Sequence, residues 1–309
     1  MTNAGSDEYS PPTSQAIAEA QDTDDAYRLL LAQRKLYSQS KRWLTFRWLG
    51  MLMIAIAAPV VAVVWPNLAV GAGAVAGAWI FVGRTWLSRL EQSKAEQAAA
   101  VQDELDRLVF GMPAGTVRSA LPSLEEIAML AGADESLKSN AAEGKLTKWY
   151  PIDTSQSGLV SVAICQRANA SYSDRLLKLT SAIWVVTIAV WVAALIVISL
   201  LVGLSLAEFL LGIAFPVLPA FLDVWEYSRG IRRAAQDRRD LVTTIEEKLR
   251  GGAKQLEPQD VLVWQAQIFD VRRSAPQVPD AVYWLTRRRN EKAMESAARQ
   301  LSKEAEGNQ

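Results

Sequence analysis

The chain has 309 residues, half of them hydrophobic, and its 33 basic and 33 acidic side chains give a formal net charge of zero. This balance argues against a protein that binds nucleic acid through its overall charge. The absence of histidine removes the commonest general base and metal ligand, and the single Cys165 excludes an internal disulfide and a multi-cysteine metal site. We therefore expect no metal and no cofactor.

The N-terminal region divides into two parts. Residues 1–25 are polar and contain Pro11-Pro12 with few large apolar groups, so we predict a disordered tail. Residues 26–48 carry leucines at helical spacing and are predicted to form a cytoplasmic helix that leads into a membrane. Asp24 or Asp25 is the expected N-cap of this helix.

Residues 49–83 contain two apolar stretches that only Trp65-Pro66-Asn67 separates. Each stretch has about the length that a helix needs to cross a hydrocarbon core, so we predict a transmembrane hairpin. Gly73 and Gly77 make one side of its second helix small. Such a motif allows close approach of another helix, within the chain or between subunits.

The middle region, residues 84–181, is predicted to lie in the cytoplasm. Its first part, Ser88–Phe110, has helical spacing and continues the second membrane helix as a stalk until Gly111-Met112-Pro113. Ser123 and Glu126 form a predicted capping box for a short helix. A further helix over Leu159–Leu179 is expected to enter the third span.

A second transmembrane hairpin is predicted for residues 182–222, with Gly203-Leu204-Ser205 as its turn. Glu208 lies just inside the fourth span, where it is either a functional group or an interfacial group among lipid headgroups. Pro216 and Pro219 interrupt backbone hydrogen bonding in this span and predict a kink.

The C-terminal region, residues 223–309, repeats the design of the middle region. Trp225–Leu249 is predicted to form a second stalk that ends at Gly251-Gly252. Pro258–Val271 and a segment from Asp280 to about residue 305 supply two more predicted helices.

The charge pattern predicts the orientation of the spans. Both turns lack charges, whereas basic side chains crowd the other ends of all four segments: Arg34, Lys35, Lys41, Arg42, Arg47, Arg84, Arg89, Lys94, Arg167, Arg175, Lys178, Arg229, Arg232, Arg233, Arg238 and Arg239. The positive-inside rule then places both termini and the middle region in the cytoplasm. Tryptophans near the predicted interfaces agree: Trp43, Trp48, Trp65, Trp86, Trp184 and Trp225.

The predicted fold class is an all-α integral membrane protein with two transmembrane helical hairpins, hence four spans, and a helical cytoplasmic module. The alternative is that an apolar pair forms the buried core of a soluble protein, which applies most to the short first hairpin.

Four local patterns then occur in order around the spans: Gln102-Asp103-Glu104-Leu105-Asp106 before Phe110-Gly111-Met112-Pro113; Trp149-Tyr150-Pro151; Cys165-Gln166-Arg167-Ala168-Asn169 with Tyr172 and Arg175; and Gln267-Ile268-Phe269 with Arg272, Pro279-Asp280 and Tyr283. With the two hairpins, the chain resembles the SMODS-associating four-transmembrane effector family over roughly residues 26–305. One departure is that Ala114-Gly115 stands where we expect a Trp-Asn pair.

The resemblance implies a membrane effector of bacterial antiphage signalling. In such a system, a nucleotidyltransferase encoded alongside makes a cyclic nucleotide on infection, and the effector responds by disrupting the inner membrane. The implied partners are the lipid bilayer, the cyclic nucleotide and, functionally, the nucleotidyltransferase. We also expect a homo-oligomer, because four helices with few polar groups make a poor pore alone.

A cyclic nucleotide requires cationic donors for its phosphates and flat groups for its bases. The candidates of these types near the family patterns are Trp149, Tyr150, Gln166, Arg167, Asn169, Tyr172, Arg175 and Arg272. Each also has a purely structural interpretation. Trp149-Tyr150-Pro151 can pack against the stalks, and the arginines can form ion pairs or lie near the membrane surface.

Other function classes remain open from the residues alone. An enzyme is not expected, because the chain lacks histidine, a Gly-x-Ser-x-Gly motif and a Walker-type loop. A non-conducting scaffold whose cytoplasmic helices recruit a partner is the first alternative. A small constitutive channel or transporter is the second, although polar groups near the centre of the membrane are scarce.

Overall fold

The computed structural model describes residues 9–113, 118–252 and 255–307, which are α-helical and contain no strand, as predicted. The α-helices in chain order are α1 (Ser14–Ala20), α2 (Asp24–Val64), α3 (Ala69–Val82), α4 (Ser88–Phe110), α5 (Leu124–Ala131), α6 (Leu137–Glu143), α7 (Gly158–Val202), α8 (Leu206–Phe209), α9 (Phe215–Arg250), α10 (Pro258–Ser274) and α11 (Asp280–Gly307).

The predicted apolar stretches all lie on helices, and each pair is joined by a short turn. A 3₁₀ turn, Pro66–Leu68, connects α2 to α3, and a π-helical turn, Gly83–Leu87, connects α3 to α4. Helix α7 ends at Gly203, whose φ of 75° is the left-handed conformation that glycine adopts easily. A second π-helical turn, Leu210–Ala214, joins α8 to α9.

Long helices connect the apolar stretches to the rest of the chain. Helix α2 packs along α4, and α7 packs along α9, so each hairpin continues as a pair of stalks. The predicted cytoplasmic helix over residues 26–48 and the first apolar stretch are therefore a single uninterrupted helix, α2. A movement of a stalk is transmitted directly to the apolar stretch on the same helix.

Two helical runs within the described residues are long and apolar enough to cross a membrane: Val70–Phe110 and Gly158–Val202. Only 6% of the most apolar window of Gly158–Val202 is buried inside the molecule. Side chains such as Val190 and Leu201 are accordingly exposed. An uncovered apolar surface of this kind is suited to lipid or another subunit, which supports a membrane protein. The count of four spans remains a prediction.

The helices around the main hydrophobic core form one packed unit, which we call the core module. It comprises α1, α4, α5, α6, α10 and the adjoining parts of α2, α7, α9 and α11. Its largest fully buried apolar side chains are Phe110, Ile17, Leu30, Leu36, Leu105, Leu137, Ile231, Ile245, Leu249 and Ile268. Because these come from both stalk pairs, burial of apolar surface holds the two hairpins together.

The disorder predicted for residues 1–25 is wrong for residues 9–25, and residues 1–8 lie outside the described residues. Ile17 of α1 is fully buried, and the Tyr9 hydroxyl donates to the Phe110 carbonyl oxygen at 2.8 Å. The Gln21 side chain accepts the Tyr150 N–H at 2.8 Å. Composition misled because this polar segment is held by a few apolar anchors and by side-chain hydrogen bonds to distant backbone groups.

Helix α2 begins at Asp24, two residues earlier than predicted, and its cap is Thr23 rather than Asp24 or Asp25. The Thr23 hydroxyl accepts the Ala26 N–H at 3.3 Å from an extended backbone conformation. Asp24 and Asp25 lie in the first helical turn, where their charges favour the helix dipole. The capping box predicted for Ser123 and Glu126 is confirmed at the start of α5.

An aromatic cluster forms where the stalks become apolar. The Trp48 ring lies 4.6 Å from the Trp184 ring and 5.5 Å from the Tyr227 ring, measured between centroids. These three rings come from α2, α7 and α9, so the cluster joins both hairpins at one level of the molecule.

The close contact of the N-terminal segment with α7 leads to a first prediction. A Cβ atom on Gly158 would lie 1.7 Å from the Pro12 carbonyl oxygen, whereas a Cβ atom on Gly71 meets nothing within 4 Å. We expect Gly158→Ala to displace residues 9–20 and speed cleavage at the exposed Glu19 by a glutamate-specific protease. Gly71→Ala should leave the cleavage rate unchanged; equal rates for the two variants would contradict this packing.

Candidate functional site

A buried polar network lies in the core module where the four family-like patterns meet. The Asp106 carboxylate is its centre: it accepts hydrogen bonds from Arg272 Nη1 at 2.6 Å and Gln265 Nε2 at 2.9 Å. The Tyr150 hydroxyl donates to its other oxygen, Oδ1. These side chains come from α4, α10 and the loop before α7, so one carboxylate connects three distant parts of the chain.

The network extends along α4 to Asp103, one helical turn before Asp106. Asp103 Oδ1 accepts a hydrogen bond from Gln265 Nε2 at 2.9 Å. Its Oδ2 accepts from Arg107 Nε and Arg118 Nε, both at 3.0 Å. Both carboxylates are about 1% exposed, and each is paired with at least one arginine, which is what burial of charge requires.

Helix α7 closes the network from the opposite side. Gln166 Nε2 donates to Gln265 Oε1 at 3.1 Å and to the Val261 carbonyl oxygen at 2.9 Å. Asn169 Nδ2 reaches the Tyr150 hydroxyl at 3.4 Å. Because Gln166 and Asn169 are three residues apart, the same face of α7 presents both to the network.

Burial and charge fix the protonation states around Asp106. Burial, reinforced by the Asp106 charge, raises the pKa of Tyr150 well above its usual value, so its hydroxyl remains a donor at neutral pH. Burial opposes the charge of Arg272, but the Asp106 carboxylate outweighs it and raises the pKa of Arg272. Arg272 is therefore charged, and the tyrosine is neutral.

A second buried arginine adjoins this centre. Arg238 of α9 donates to the Val271 carbonyl oxygen at 3.1 Å, and burial lowers its pKa to about 10. Arg272 Nε and Nη2 are also buried and have no hydrogen-bond partner in the described part of the chain. The buried arginines of the network are thus less completely hydrogen-bonded than its carboxylates.

The predicted ligand-binding residues fall into two groups. Tyr150, Gln166 and Arg272 are buried and bonded to protein groups, and the half-buried Asn169 joins them. The others lie nearer the surface. The half-buried Arg167 pairs with Glu246 at 2.6 Å, Trp149 packs against the main core, Tyr172 is half-buried and Arg175 is exposed.

Sequence reasoning missed six members of the network as site residues: Asp103, Asp106, Arg107, Arg118, Gln265 and Arg238. A signal was present for the first two, because two aspartates three residues apart occupy the apolar face of a helix that also carries Leu105 and Val109. Gln265 and Arg238 had no such signal, since only the approach of α10 and α9 buries them.

The next residues are those predicted to act within the membrane: Glu208, Pro216 and Pro219. Glu208 completes a capping box with Ser205, whose N–H it accepts at 2.7 Å, so it stabilises the start of α8. Helix α9 runs on through Pro216 and Pro219, directly after the π-helical turn Leu210–Ala214. Their side chains and that of Tyr283, like the Ala114-Gly115 departure, lie outside the described residues.

The glycine motif of α3 makes no close helix contact among the residues that the structure describes. A Cβ atom built on Gly73 or on Gly77 would meet no atom within 4 Å. No helix of the described chain therefore packs closely against these two positions.

The contacts of the site are hydrogen bonds and ion pairs that join helices. In the described residues, no group of three or more acidic, histidine or cysteine side chains is placed to hold a metal ion. Cys165 is fully buried on α7. An ionised pair inside a hydrogen-bonded network instead fixes the mutual position of α4, α7 and α10.

One comparison with known proteins gives a match. Residues 15–301 match the model of a family described as the SMODS-associating 4TM effector domain. No curated protein and no solved structure matches the chain.

The network leads to a second prediction. Asp106→Asn leaves the Arg272 charge buried without its counter-ion, and loss of one member of a buried pair costs about 3–5 kcal/mol. We expect a marked fall in melting temperature of the detergent-purified chain. Asp270→Asn is the matched control, because Asp270 pairs with Arg273 while 62% exposed and should change stability little. A similar melting temperature for both variants would show that the network does not stabilise the core module.

Proposed function

This chain belongs to the SMODS-associating 4TM effector family, and we propose that it disrupts the bacterial inner membrane when a cyclic nucleotide signals phage infection. The family match over residues 15–301 carries the proposal, since it covers nearly the whole chain and links it to cyclic-nucleotide signalling enzymes. The two long apolar helical runs supply the means of acting on a membrane.

We propose a four-span topology with both termini in the cytoplasm. Each apolar stretch occupies a helix, and the turns at Pro66–Leu68 and Gly203 carry no charge. The core module lies at the opposite, arginine-rich ends of the stretches. In this arrangement the bulk of the polar protein stays on the side where basic residues are retained.

The conducting form in this proposal is a homo-oligomer. Apolar side chains cover the exposed faces of α7, and no helix of the described residues packs closely against Gly73 or Gly77. A small surface of this kind suits close contact with a helix of a second copy. Several copies are needed because one set of apolar helices offers few groups that stabilise water or ions.

The signal enters at the core module in this proposal. Direct nucleotide contact is assigned to the exposed Arg175 and the half-buried Trp149 and Tyr172, which offer one guanidinium and two flat rings. The buried candidates Tyr150, Gln166, Asn169 and Arg272 position the helices that carry them. A change at α7 then reaches the apolar stretch directly, because both belong to one helix.

Transmission to the second hairpin follows from the end of α10. Arg272 is held by Asp106, and the next five residues, 273–277, run to the level of the aromatic cluster. There the Tyr227 hydroxyl donates to the Gln277 carbonyl oxygen at 2.5 Å. A shift of α10 relative to α4 therefore acts on α9 where its apolar stretch begins.

The third prediction tests the trigger and the effect together. Bacteria expressing this chain should lose membrane potential only when a partner cyclic-nucleotide synthase is active, as measured with a voltage-sensitive dye. Arg175→Gln should require about tenfold more signal, the effect of losing one charge-assisted hydrogen bond. Arg299→Gln, an exposed arginine of α11, is the matched control and should behave as the parent.

The other outcomes separate the alternatives. Correct membrane insertion without depolarisation under any active synthase points to a non-conducting scaffold. Depolarisation without a synthase points to a constitutive channel. If depolarisation occurs and Arg175→Gln equals its control, the pore survives and the assigned nucleotide contact does not.

The fourth prediction concerns assembly. Leucine at Gly73 or Gly77 fills the surface proposed for contact between copies, so we expect the oligomer seen by cross-linking in membranes to weaken about tenfold or more. Gly71→Leu is the control, since it lies on the opposite side of α3 and also meets no atom within 4 Å. An equal loss from all three variants would mean that this face has no special role.

A further inference from the structure

A polar pocket of about 360 Å³ lies where the stalks become apolar. Its wall includes Arg47 and Trp48 of α2, Arg84 after α3 and Asp223 of α9. The last two residues of α10, 273 and 274, and residues 275–277 of the linker between α10 and α11 complete it. Helices of both hairpins and the end of the core module therefore meet around one cavity. No residue of the proposed nucleotide contact belongs to it.

The linker is held close to α9 at this pocket by small and polar groups. A Cβ atom on Gly230 would lie 3.2 Å from Pro276 Cγ, so glycine permits the approach. Ala275 and Val278 pack against the cluster that contains Tyr227 and Ile231. The pocket is thus a formed feature of the packing between α9 and the linker.

The charges of the pocket divide into an inner and an outer set. In the inner set, Arg47 Nη2 pairs with Glu91 at 3.2 Å, and both side chains are largely buried. Asp223 is also largely buried and lies 2.5 Å from Arg84 Nη2. These groups compensate one another inside the wall.

The outer set is partly exposed, although each member already has an ion-pair partner that a ligand would replace or share. Arg84 bridges Asp223 and Glu226, and Arg273 pairs with Asp270. Arg84 is 45% exposed, Arg273 is 55% exposed and Glu226 is 66% exposed, measured for the side chains. Two guanidinium groups can bind the oxygens of one phosphate, and a carboxylate can accept hydrogen bonds from an ammonium group. A ligand that carries both charges fits this set better than a purely anionic one, which Glu226 and Asp223 would repel.

We infer that this pocket binds the headgroup of a zwitterionic phospholipid, phosphatidylethanolamine, from the adjoining leaflet. Arg84 and Arg273 hold the phosphate, and Glu226 holds the ammonium group. A lipid is favoured over a soluble ligand because Phe81 and Trp86, which lie within three residues of Arg84 in the chain, are 65% and 64% exposed and offer an apolar surface for acyl chains. Two buried donors of the wall, Arg47 Nε and Trp48 Nε1, also lack an acceptor in the described chain.

The inference rests on the membrane topology proposed above, but it does not require a pore or a nucleotide. A lipid held between the hairpins and the linker would stabilise one arrangement of the helices around it. A phospholipid of the membrane would therefore act as a ligand of the pocket where the stalks become apolar.

The fifth prediction is tested by native mass spectrometry of the full chain in detergent, titrated with dioleoyl phosphatidylethanolamine or dioleoyl phosphatidylglycerol. We expect the former to bind about three- to tenfold more tightly. Glu226→Gln should abolish this preference by removing the negative charge that attracts the ammonium group, whereas Arg273→Gln should weaken binding of both lipids about threefold or more. Melting temperatures establish that each variant is folded.

Matched controls and competitors complete the test. Arg233→Gln and Glu247→Gln change exposed charges of α9 outside the pocket and should leave both affinities unchanged. Equal affinity for the two lipids, or pocket variants that behave as these controls, would overturn the inference. Displacement of the lipid by adenosine 5′-monophosphate at similar concentration would also overturn it, by identifying a nucleotide pocket.

The two proposals fail separately. Lipid selectivity without synthase-dependent depolarisation keeps the headgroup site and removes the effector function. Depolarisation without lipid selectivity does the reverse.

Discussion

The ion pair between Arg272 and Asp106 is the interaction on which the arrangement of the core module depends. It joins α10 to α4 at 2.6 Å in a site where both side chains are almost fully buried. Hydrogen bonds to the remaining donors and acceptors offset the cost of burying such a pair. Arg272 Nε and Nη2 lack such partners in the described chain, so most of this compensation is at the carboxylate. Gln265 and Tyr150 satisfy the carboxylate, and in doing so they bring the loop before α7 into the same site.

The same interaction determines what can move. Arg272 is in the last turn of α10, and the linker that follows reaches the level where α2, α7 and α9 share an aromatic cluster. The core module is therefore connected to the apolar stretches by continuous helices and by this linker. A rearrangement of the buried network should therefore move the stalks as well, because well-packed interiors shift between discrete arrangements.

The membrane-directed parts follow a different physical rule. Their apolar side chains face outward, and the described chain gives Gly73 and Gly77 no close neighbour. In lipid, apolar burial supplies little driving force between helices, so close packing and polar contacts decide association. Polar contacts between the membrane helices occur where the stalks become apolar, and there Arg84 bridges Asp223 and Glu226. Control of the membrane helices is thus located at their ends.

The sequence alone determined much of the secondary structure. Helical periodicity, capping residues and proline positions predicted α4, α5, α10 and α11 closely, because these signals act within a few residues of the chain. The apolar stretches and their uncharged turns could be predicted for the same reason. The local patterns also identified the family before any contact was known.

Tertiary structure alone decided the rest, because burial and pairing depend on residues far apart in the chain. It ordered residues 9–25 against Phe110 and Tyr150, although their composition resembles that of a flexible tail. It also divided the candidate site, burying Tyr150, Gln166 and Arg272 while leaving Arg175 exposed. Residue type showed that these side chains could bind phosphate or stack on a base. Only the approach of α4, α7 and α10 decided which of them already have partners inside the protein.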